Sequence, residues 1–522
     1  MEGDEYAFFL NCFIFADTVL AAEPSDDLFD RIIGALTRIY LDWIEQNPQV
    51  DHPNEHKYAW YDHAAAARLV HLAYLLREGI RLGQLEAEER HTLAVSVVEH
   101  ADYVLSDENY QPNHNHGLFS DAALKLAADE LSVAPESAQW AEVATSRFRS
   151  VVELTVEASE GVHLEHSPFY QLVVRNALAR FAPAQLLPPE ELDSLLERMD
   201  EASSWLTAPD GALPPIGDTN VGSRPSAAVQ EAATQTRGLR AFSQSGYCVV
   251  HDGDSYLIVT AGFHSEGHKH ADDLSFCLYE GGRMVVVDSG NPGYDYASAA
   301  RQYCVSPSAH SGIAVDSYTW IRDPRGGAGS GLVGSGSLDD WYAILAENPR
   351  IAPDDRVARR LLLYRPASSL VVIDEVAASG EEVVERYLQL APELNATVLT
   401  TGLVEIGDEE GASVSLVAPF GDDQAESDSV SAIRGRTTAP LGGLFFPQFE
   451  VCEACTTVVL SRHGGGMLGY RMTLGSEVGT QSEQMVATGS LAGEDALLTI
   501  TGLGESTLEV GLQDGELALS KR

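Results

Sequence analysis

The densest group of side chains that could do chemistry is a run of histidines and carboxylates at residues 264–273. It reads His264-Ser-Glu-Gly-His268-Lys-His270-Ala-Asp272-Asp273. On an extended segment, residues two apart point to the same side, so His268 and His270 suit two metal ligands or one ligand beside one acid/base group. Downstream, Asp288 ends an apolar run, and His310 follows a small-residue turn. Two histidines and an aspartate at strand ends would suit Zn²⁺, which takes nitrogen and oxygen ligands.

Two polar segments in the first half of the chain could also contribute to a site. Asn113-His114-Asn115-His116-Gly117 precedes a helix predicted to start near Phe119. Amide and imidazole donors at a helix N-terminus suit an anion, although the same residues also suit a plain polar turn and cap. Farther on, Ser167 and Pro168 are typical of an N-cap and a first helical position. Tyr170 then lies in the first turn, where a tyrosine more often packs than catalyses.

The elements that must position these residues differ between the two halves of the chain. From Asp26 to about Trp205, apolar residues recur at helical spacing, which predicts seven or more successive helices. From about Gly238, short Val/Ile/Leu/Tyr-rich runs alternate with turn signals, which predicts antiparallel strands. A Gly/Pro/Ser-rich stretch at 211–228 is the expected linker. We therefore predict an α+β multidomain protein, with a helical domain at 1–225 and a stacked antiparallel β-sheet domain at 226–522.

Composition excludes several classes of partner. Lys and Arg number 33 against 78 Asp and Glu, a formal net charge of −45. Such a chain repels nucleic acid and anionic membrane surfaces. No apolar run reaches the ~18 residues of a membrane helix, and the first residues are acidic where a signal peptide is basic. We expect a cytoplasmic protein if Met1 is the natural start. Six cysteines are too few for a disulfide framework.

Taken together, the polar segments resemble those of the heparinase II/III-like polysaccharide lyases, which include heparinase and oligoalginate lyase families. Six motifs agree in order and approximate spacing between about Trp60 and Asp316: Asn115-His116-Gly117, Ser167-Pro168 with Tyr170, His268-Lys-His270-Ala-Asp272-Asp273, Asp288-Ser-Gly290, Arg301-Gln-Tyr303 and Ala309-His310. The resemblance implies an incomplete (α/α) toroid followed by antiparallel sheets, with the active site in the cleft between them. It also implies β-elimination of a glycan that contains uronic acid.

The resemblance implies a role for each catalytic position. Asn115 and His116 match the residues that neutralise the uronate carboxylate. That neutralisation lets negative charge spread onto the carboxyl group after the C5 proton leaves. Tyr170 matches the tyrosine that acts as base, or as acid at the departing O4, and His268 matches its acid/base partner. Tyr303 matches a second tyrosine of the alginate-type members. Which group takes the proton depends on the C5 epimer.

The resemblance also implies a metal. His270, Asp288 and His310 match the zinc ligands of heparinase II-type members, where the zinc is structural and holds the loop that presents His268. Two departures leave the substrate subclass open. Ser311 stands where many relatives have Asn, and Gln171 stands where a His is common.

The expected partner is an acidic polysaccharide or oligosaccharide, and a homo-oligomer is left open. Because the chain is itself acidic, either the cleft is locally basic or high salt screens the repulsion. Four arginines are candidates for a basic, substrate-binding cleft: Arg68, Arg175, Arg301 and Arg322. Two other functions compete with a lyase. One is a hydrolase that uses a zinc-bound water, and the other is a non-catalytic glycan-binding protein of the same fold.

Overall fold

The computed structural model describes most of the chain. The described residues are 4–20, 26–49, 58–316, 328–351, 356–399, 402–408, 410, 413–421, 429–475, 485–493, 496–503, 507–513 and 516–522. They form two compact units. The first comprises Met1–Val156 and Val174–Leu196, and the second comprises Glu157–Val173 and Glu197–Arg522.

Helices make up the first unit, and two of them continue into the second. The helices of the N-terminal half are α1 (Asp4–Cys12), α2 (Ile14–Leu20), α3 (Asp26–Gln46), α4 (Asp62–Arg81), α5 (Ala87–Leu105), α6 (Asn115–Glu130), α7 (Ser137–Thr155), α8 (Pro168–Arg180) and α9 (Pro189–Trp205). Two short helices follow in the second unit, α10 (Ala227–Gln235) and α11 (Ala299–Cys304). Ala182–Ala184 and Pro307–Ala309 are 3₁₀ turns.

The buried face of α3 differs from the apolar stripe that its sequence suggests. Ile33, Leu36 and Tyr40 are buried, whereas Leu28 and Ile39 are exposed. Apolar residues occur on more than one side of this helix, so spacing alone does not select the packed side. Tyr40 selects it, because its ring stacks on Phe13 with centroids 4.3 Å apart.

Strands make up most of the second unit. They are β1 (Val156–Glu157), β2 (Val162–His163), β3 (Gly238–Phe242), β4 (Tyr247–Asp252), β5 (Ser255–Thr260), β6 (Gly262–Phe263), β7 (Phe276–Glu280), β8 (Arg283–Val286), β9 (Ile313–Val315), β10 (Gly329–Ser330), β11 (Leu332–Leu338), β12 (Trp341–Asn348), β13 (Ala358–Arg365), β14 (Ser369–Val376), β15 (Val383–Gln389), β16 (Leu394–Val398), β17 (Val404–Asp408), β18 (Ser413–Gly421), β19 (Ser429–Arg434), β20 (Leu444–Phe445), β21 (Glu453–Ala454), β22 (Thr456–His463), β23 (Gly466–Leu474), β24 (Val486–Ser490), β25 (Leu497–Thr501), β26 (Leu508–Gln513) and β27 (Glu516–Lys521).

Three sheets contain most of these strands, and β1-β2, β6-β10 and β20-β21 form two-stranded sheets. The largest has the order β16-β17-β18-β23-β14-β13-β12-β11-β27-β26-β25-β24. A five-stranded sheet has the order β3-β4-β5-β7-β8, and a four-stranded sheet has the order β19-β22-β15-β9. Pairing is antiparallel, apart from a parallel contact between β11 and β27 at Ser335 and Glu516. The segment between β5 and β7 of the five-stranded sheet carries His268 and His270.

The sheets stack on a shared core. Val250 and Leu257 of the five-stranded sheet, Leu362 of the largest sheet and Leu460 of the four-stranded sheet belong to one buried apolar cluster. Burial on both faces explains why these strands read as continuous apolar runs rather than as alternating ones.

The predicted order, a helical N-terminal part followed by an antiparallel β-sheet part, is confirmed. The toroidal arrangement of the helices stays a prediction. In the part of the chain that the structure describes, no helix combines the length and the apolar character needed to cross a membrane.

Candidate active site

Tyr170 belongs to the second compact unit, although the sequence placed it on the helical side. The segment Glu157–Val173 is anchored there by specific hydrogen bonds. The Glu160 carboxylate accepts from the backbone N–H groups of Gln244 and Ser245, each at 2.9 Å. His166 Nε2 accepts from the backbone N–H of His264 at 2.9 Å. The first turn of α8, which carries Tyr170, is therefore held by the sheet domain.

Tyr170 and His268 are stacked. Their ring centroids lie 3.5 Å apart, with 19° between the ring planes. The Tyr170 hydroxyl is 2.7 Å from the hydroxyl of Tyr294, and the Tyr294 ring meets His268 edge-on at 5.9 Å. Three groups that can exchange protons are thus in mutual contact within one unit.

Two carboxylates flank the His268 ring. Asp218 Oδ2 lies 2.8 Å from Nδ1, and Glu165 Oε2 lies 3.3 Å from Nε2. Burial opposes a charge on this imidazole, but its bonds to Asp218 and Glu165 outweigh that effect and raise the pKa of His268 above its usual value. Burial raises the pKa of Tyr170, and the neighbouring Tyr294 adds to the rise. Tyr170 is therefore protonated near neutral pH and can donate.

Asp218 is the centre of a buried network. Besides His268, its carboxylate accepts from His270 Nε2 at 3.0 Å and from both terminal nitrogens of Arg301, with Nη2 at 2.9 Å from Oδ2. Burial alone would raise the pKa of Asp218, but the two histidines and the guanidinium hold it well below the usual range. This carboxylate is ionised and fully coordinated by cationic or N–H donors.

The twin aspartates of the histidine run have a structural role. Lys269 is buried and pairs with Asp272, and its Nζ lies 3.3 Å from Asp273. Arg350 donates to Asp273 at 2.9 Å. His268 itself has a positive φ of 54°, a left-handed conformation that is uncommon for a residue other than glycine. The buried ion pairs of Lys269 and Asp273 hold the loop that follows His268.

The three expected metal ligands converge. One potential ligand atom from each of His270, Asp288 and His310 lies within 4.8 Å of the others, and all three residues are buried. His310 Nδ1 is 2.8 Å from Asp288 Oδ2. Among the described atoms, His270 Nδ1 and His310 Nε2 have no hydrogen-bond partner. A buried imidazole nitrogen without a partner is costly, so two of them beside a carboxylate fit a metal ion.

In the first unit, Asn115 and His116 occupy the start of α6. The helix begins at Asn115, four residues earlier than predicted, and the His114 ring caps it by accepting from the His116 N–H at 3.3 Å. His116 Nδ1 lies 3.0 Å from Asp62 Oδ2. Burial opposes ionisation of Asp62, but the bond to His116 lowers the pKa of this carboxyl. That these residues and the Tyr170–His268 pair act on one sugar ring stays a prediction.

Arg68 and Arg301 were predicted to bind substrate, but the structure buries both guanidinium groups inside the protein. Arg68 is fully buried in the first unit, where it stacks on Trp43 at 4.0 Å and donates to the backbone carbonyl of Asn11 at 2.6 Å. Arg301 is fully buried against Asp218. The sequence identifies these side chains as charged but does not show that they are buried. Arg175 lies half-buried on α8, and Arg322 lies outside the described residues.

Tyr303 is also placed differently from the prediction. Its ring is buried in an apolar cluster with Phe446, and its hydroxyl accepts from the backbone N–H of Leu444 at 3.5 Å. The tyrosine that contacts both Tyr170 and His268 is Tyr294. The structure thus packs Tyr303 among apolar side chains and brings Tyr294 beside Tyr170 and His268, and the catalytic role of Tyr303 stays a prediction.

Sequence reasoning missed Asp218, Glu165 and Tyr294. Asp218 lies in the stretch that was interpreted as a linker, where Gly217-Asp218-Thr219 looks like an ordinary turn. Glu165 and Tyr294 each stand within five residues of a motif residue, so extending each motif outward would have included them.

Two family models match the chain. The model described as Heparinase II/III N-terminus matches residues 26–245, and the model described as Heparinase II/III-like, C-terminal matches residues 234–441. Together they run from residue 26 to residue 441, so the chain belongs to the heparinase II/III-like family. It is an enzyme of the polysaccharide lyase class.

Solved structures share the fold. A crystal structure of heparinase III has a TM-score of 0.74 and 16% identity, and the match covers 98% of this chain and 83% of that one. Heparan sulfate lyase HepC from Pedobacter heparinus has a TM-score of 0.63 and 16% identity, with 100% of this chain and 83% of that one covered. A comparison with curated protein sequences gives no match.

Proposed function

We propose that this chain cleaves a glycosaminoglycan that contains uronic acid by β-elimination and leaves an unsaturated uronate end. The observation that carries the proposal is the stacked Tyr170–His268 pair, with Tyr294 hydrogen-bonded to it, inside a heparinase II/III-like chain. β-Elimination needs two proton transfers on one sugar ring and no attacking water, and a tyrosine beside an imidazole supplies both transfers.

The steps balance within the substrate. The C5–H bond breaks and the proton passes to a base, a C4–C5 double bond forms, and the C4–O4 bond breaks as O4 takes up a proton. Tyr170 is protonated and suits the donation to O4, while the His268 imidazole suits the removal of the C5 proton. Asn115 and His116 match the family positions that neutralise the carboxylate, which stabilises the enolate-like charge as it develops.

The geometry of Asp62 supports the role of His116. Because the Asp62 carboxylate accepts from His116 Nδ1, the opposite nitrogen of the ring is the one that can face a substrate carboxylate. Gln111 Nε2 also donates to Asp62, at 2.6 Å, so the carboxylate is fixed on two sides. An imidazole oriented in this way costs little reorganisation when the substrate charge develops.

We also propose that His270, Asp288 and His310 hold a structural Zn²⁺. Bound there, the ion would crosslink the loop of His268 to the loops that follow β8 and α11. The burial of all three residues argues against a zinc hydrolase, since a catalytic zinc keeps a coordination position open for water and substrate. The hydrolase therefore ranks below the lyase.

The test is a panel of uronate-containing glycans, with heparan sulfate first because two matched structures are named heparinase III and heparan sulfate lyase. Elimination yields a conjugated uronate that absorbs in the near ultraviolet, whereas hydrolysis yields new reducing ends without that absorbance. Product that absorbs, formed by the wild type and abolished in Tyr170→Phe, supports the proposal. New reducing ends without absorbance would replace it with a hydrolase.

A further inference from the structure

Asp218 and Thr219, adjacent in sequence, contact His268 and the helix start that carries Tyr170. Asp218 Oδ2 accepts from His268 Nδ1 at 2.8 Å. The next side chain, Thr219, accepts through Oγ1 from the backbone N–H of Phe169 at 3.3 Å and bonds to the Ser167 hydroxyl at 2.9 Å. Asp218, which binds the His268 imidazole, is therefore joined by one peptide bond to Thr219, which binds the first turn of the helix that carries Tyr170.

The backbone of this turn is closely packed. Gly217 has a positive φ of 54°. A Cβ atom at this position would lie 2.5 Å from the carbonyl oxygen of His166 and 3.3 Å from that of His268. Only glycine lets the turn pass between these two segments. The turn is thus locked against the segment that leads to Tyr170 and against the one that carries His268.

We propose that Asp218 is a positioning residue that sets the tautomer and ring orientation of His268, with Thr219 setting the register of Tyr170 against it. A carboxylate can only accept, so its contact at 2.8 Å places a hydrogen on Nδ1 of His268. The contact of Nε2 with Glu165 is longer, at 3.3 Å, so Nε2 is the nitrogen that gives up its proton first and can act as the base in the proposed reaction. The inference rests on the proposed lyase function and adds the residue that prepares its acid/base group.

The remaining contacts of Asp218 explain how one carboxylate can serve this purpose. His270 Nε2 donates to Oδ1 at 3.0 Å, which leaves His270 Nδ1 as the nitrogen available to a metal. The two terminal nitrogens of Arg301 donate to the same carboxylate, one to each oxygen. With three partners, the carboxylate cannot rotate, so the imidazole plane cannot rotate either.

The main test is Asp218→Asn. The amide keeps the size of the side chain but has one accepting oxygen instead of two. His268 and Arg301 Nη2 bond to Oδ2, whereas His270 and Arg301 Nη1 bond to Oδ1, so the amide must turn an NH₂ group toward the donors on one of these two sides. We expect kcat to fall about 10–100-fold, as for other residues that orient a functional histidine, with KM changed less than about twofold because the residue does not touch substrate. In a His268→Ala background, the same change should lower kcat less than about twofold, since its effect passes through that ring.

Asp374→Asn is the matched control. Asp374 is equally buried and donates no proton, and both its oxygens accept from Arg360, at 2.7 and 3.0 Å. The Asp374→Asn variant should lose about as much thermal stability as Asp218→Asn does and keep the kcat of the wild type. Three results would overturn the proposal. The kcat of Asp218→Asn could be unchanged, or only its KM could change. Alternatively, the double variant with His268→Ala could lose kcat by the product of the two single losses.

Imidazole nitrogen NMR of the wild type tests the inference without activity or a variant of Asp218. With ¹⁵N-labelled histidine in alkaline buffer, and with His268 assigned by its absence in His268→Ala, Nδ1 should carry the proton. A spectrum in which Nδ1 is the unprotonated nitrogen overturns the positioning role, even if the enzyme is an active lyase. Absence of elimination on every glycan refutes the proposed function alone.

Discussion

Replacing Tyr170 with phenylalanine separates proton transfer from packing. The change removes one hydroxyl and keeps the ring that stacks on His268 at 3.5 Å. The hydroxyl bonds to Tyr294 at 2.7 Å, so the variant loses one hydrogen bond at a half-exposed position. Such a bond contributes about 1 kcal/mol to the free energy of unfolding. The variant should therefore fold, with a small loss of thermal stability.

The expected effect on turnover is much larger than that bond explains. General acid or base catalysis contributes ~10²–10⁴-fold, or about 3–5 kcal/mol. Tyr294→Phe is the matched control, because it deletes the same hydrogen bond from the other side and leaves the Tyr170 hydroxyl in place. If Tyr294 only orients that hydroxyl, the loss of about 1 kcal/mol lowers kcat about fivefold. The two variants should then differ by at least about tenfold.

The assay follows the near-ultraviolet absorbance of the unsaturated product at saturating substrate, with thermal unfolding recorded for each variant. A Tyr170→Phe enzyme with kcat like that of Tyr294→Phe would refute the assignment of proton transfer to Tyr170. Equal and severe losses in both variants would instead assign the transfer to the pair of hydroxyls acting as a relay.

Three more outcomes follow from the structure. The purified protein should contain about one zinc per chain, and His310→Ala should lose both the metal and thermal stability, whereas metal-free wild type of unchanged stability would contradict the site. Because a net charge of −45 repels a polyanion, KM should fall as salt rises from about 0.1 to 1 M, where the Debye length shrinks from about 10 to 3 Å; a KM that rises with salt would instead show a basic cleft. Burial raises the pKa of Asp121 to about 7 against the opposing effects of Tyr110 and Arg147. The native state therefore keeps a proton that the unfolded chain releases near pH 4, and the free energy of unfolding should fall by about 3 kcal/mol between about pH 5 and pH 8. Urea unfolding of Asp121→Asn should lack that part of the pH dependence, and identical pH profiles would contradict the raised pKa.

Local pattern was enough to predict the order of the secondary structure. Helical periodicity before Trp205 and short apolar runs after Gly238 each reflect which side chains a helix or a strand can bury, and that is a property of neighbouring residues. The site motifs were visible for a related reason. His268 and His270 stand out because two histidines lie two residues apart, although the structure places His268 in a turn rather than on the extended segment that was predicted. Pro168 marks the helix start that places Tyr170 in the first turn.

The partners of those motifs depended on contacts between distant residues. Asp218 lies 50 residues before His268 in sequence, and Tyr294 lies 124 residues after Tyr170. The charge of Arg68 and the hydroxyl of Tyr303 are equally visible in the sequence, yet the structure buries both residues. The sequence by itself determined the types of chemistry available and the elements that carry them. The tertiary structure decided which of those groups face each other, because burial and hydrogen bonding arise only when separate segments pack together.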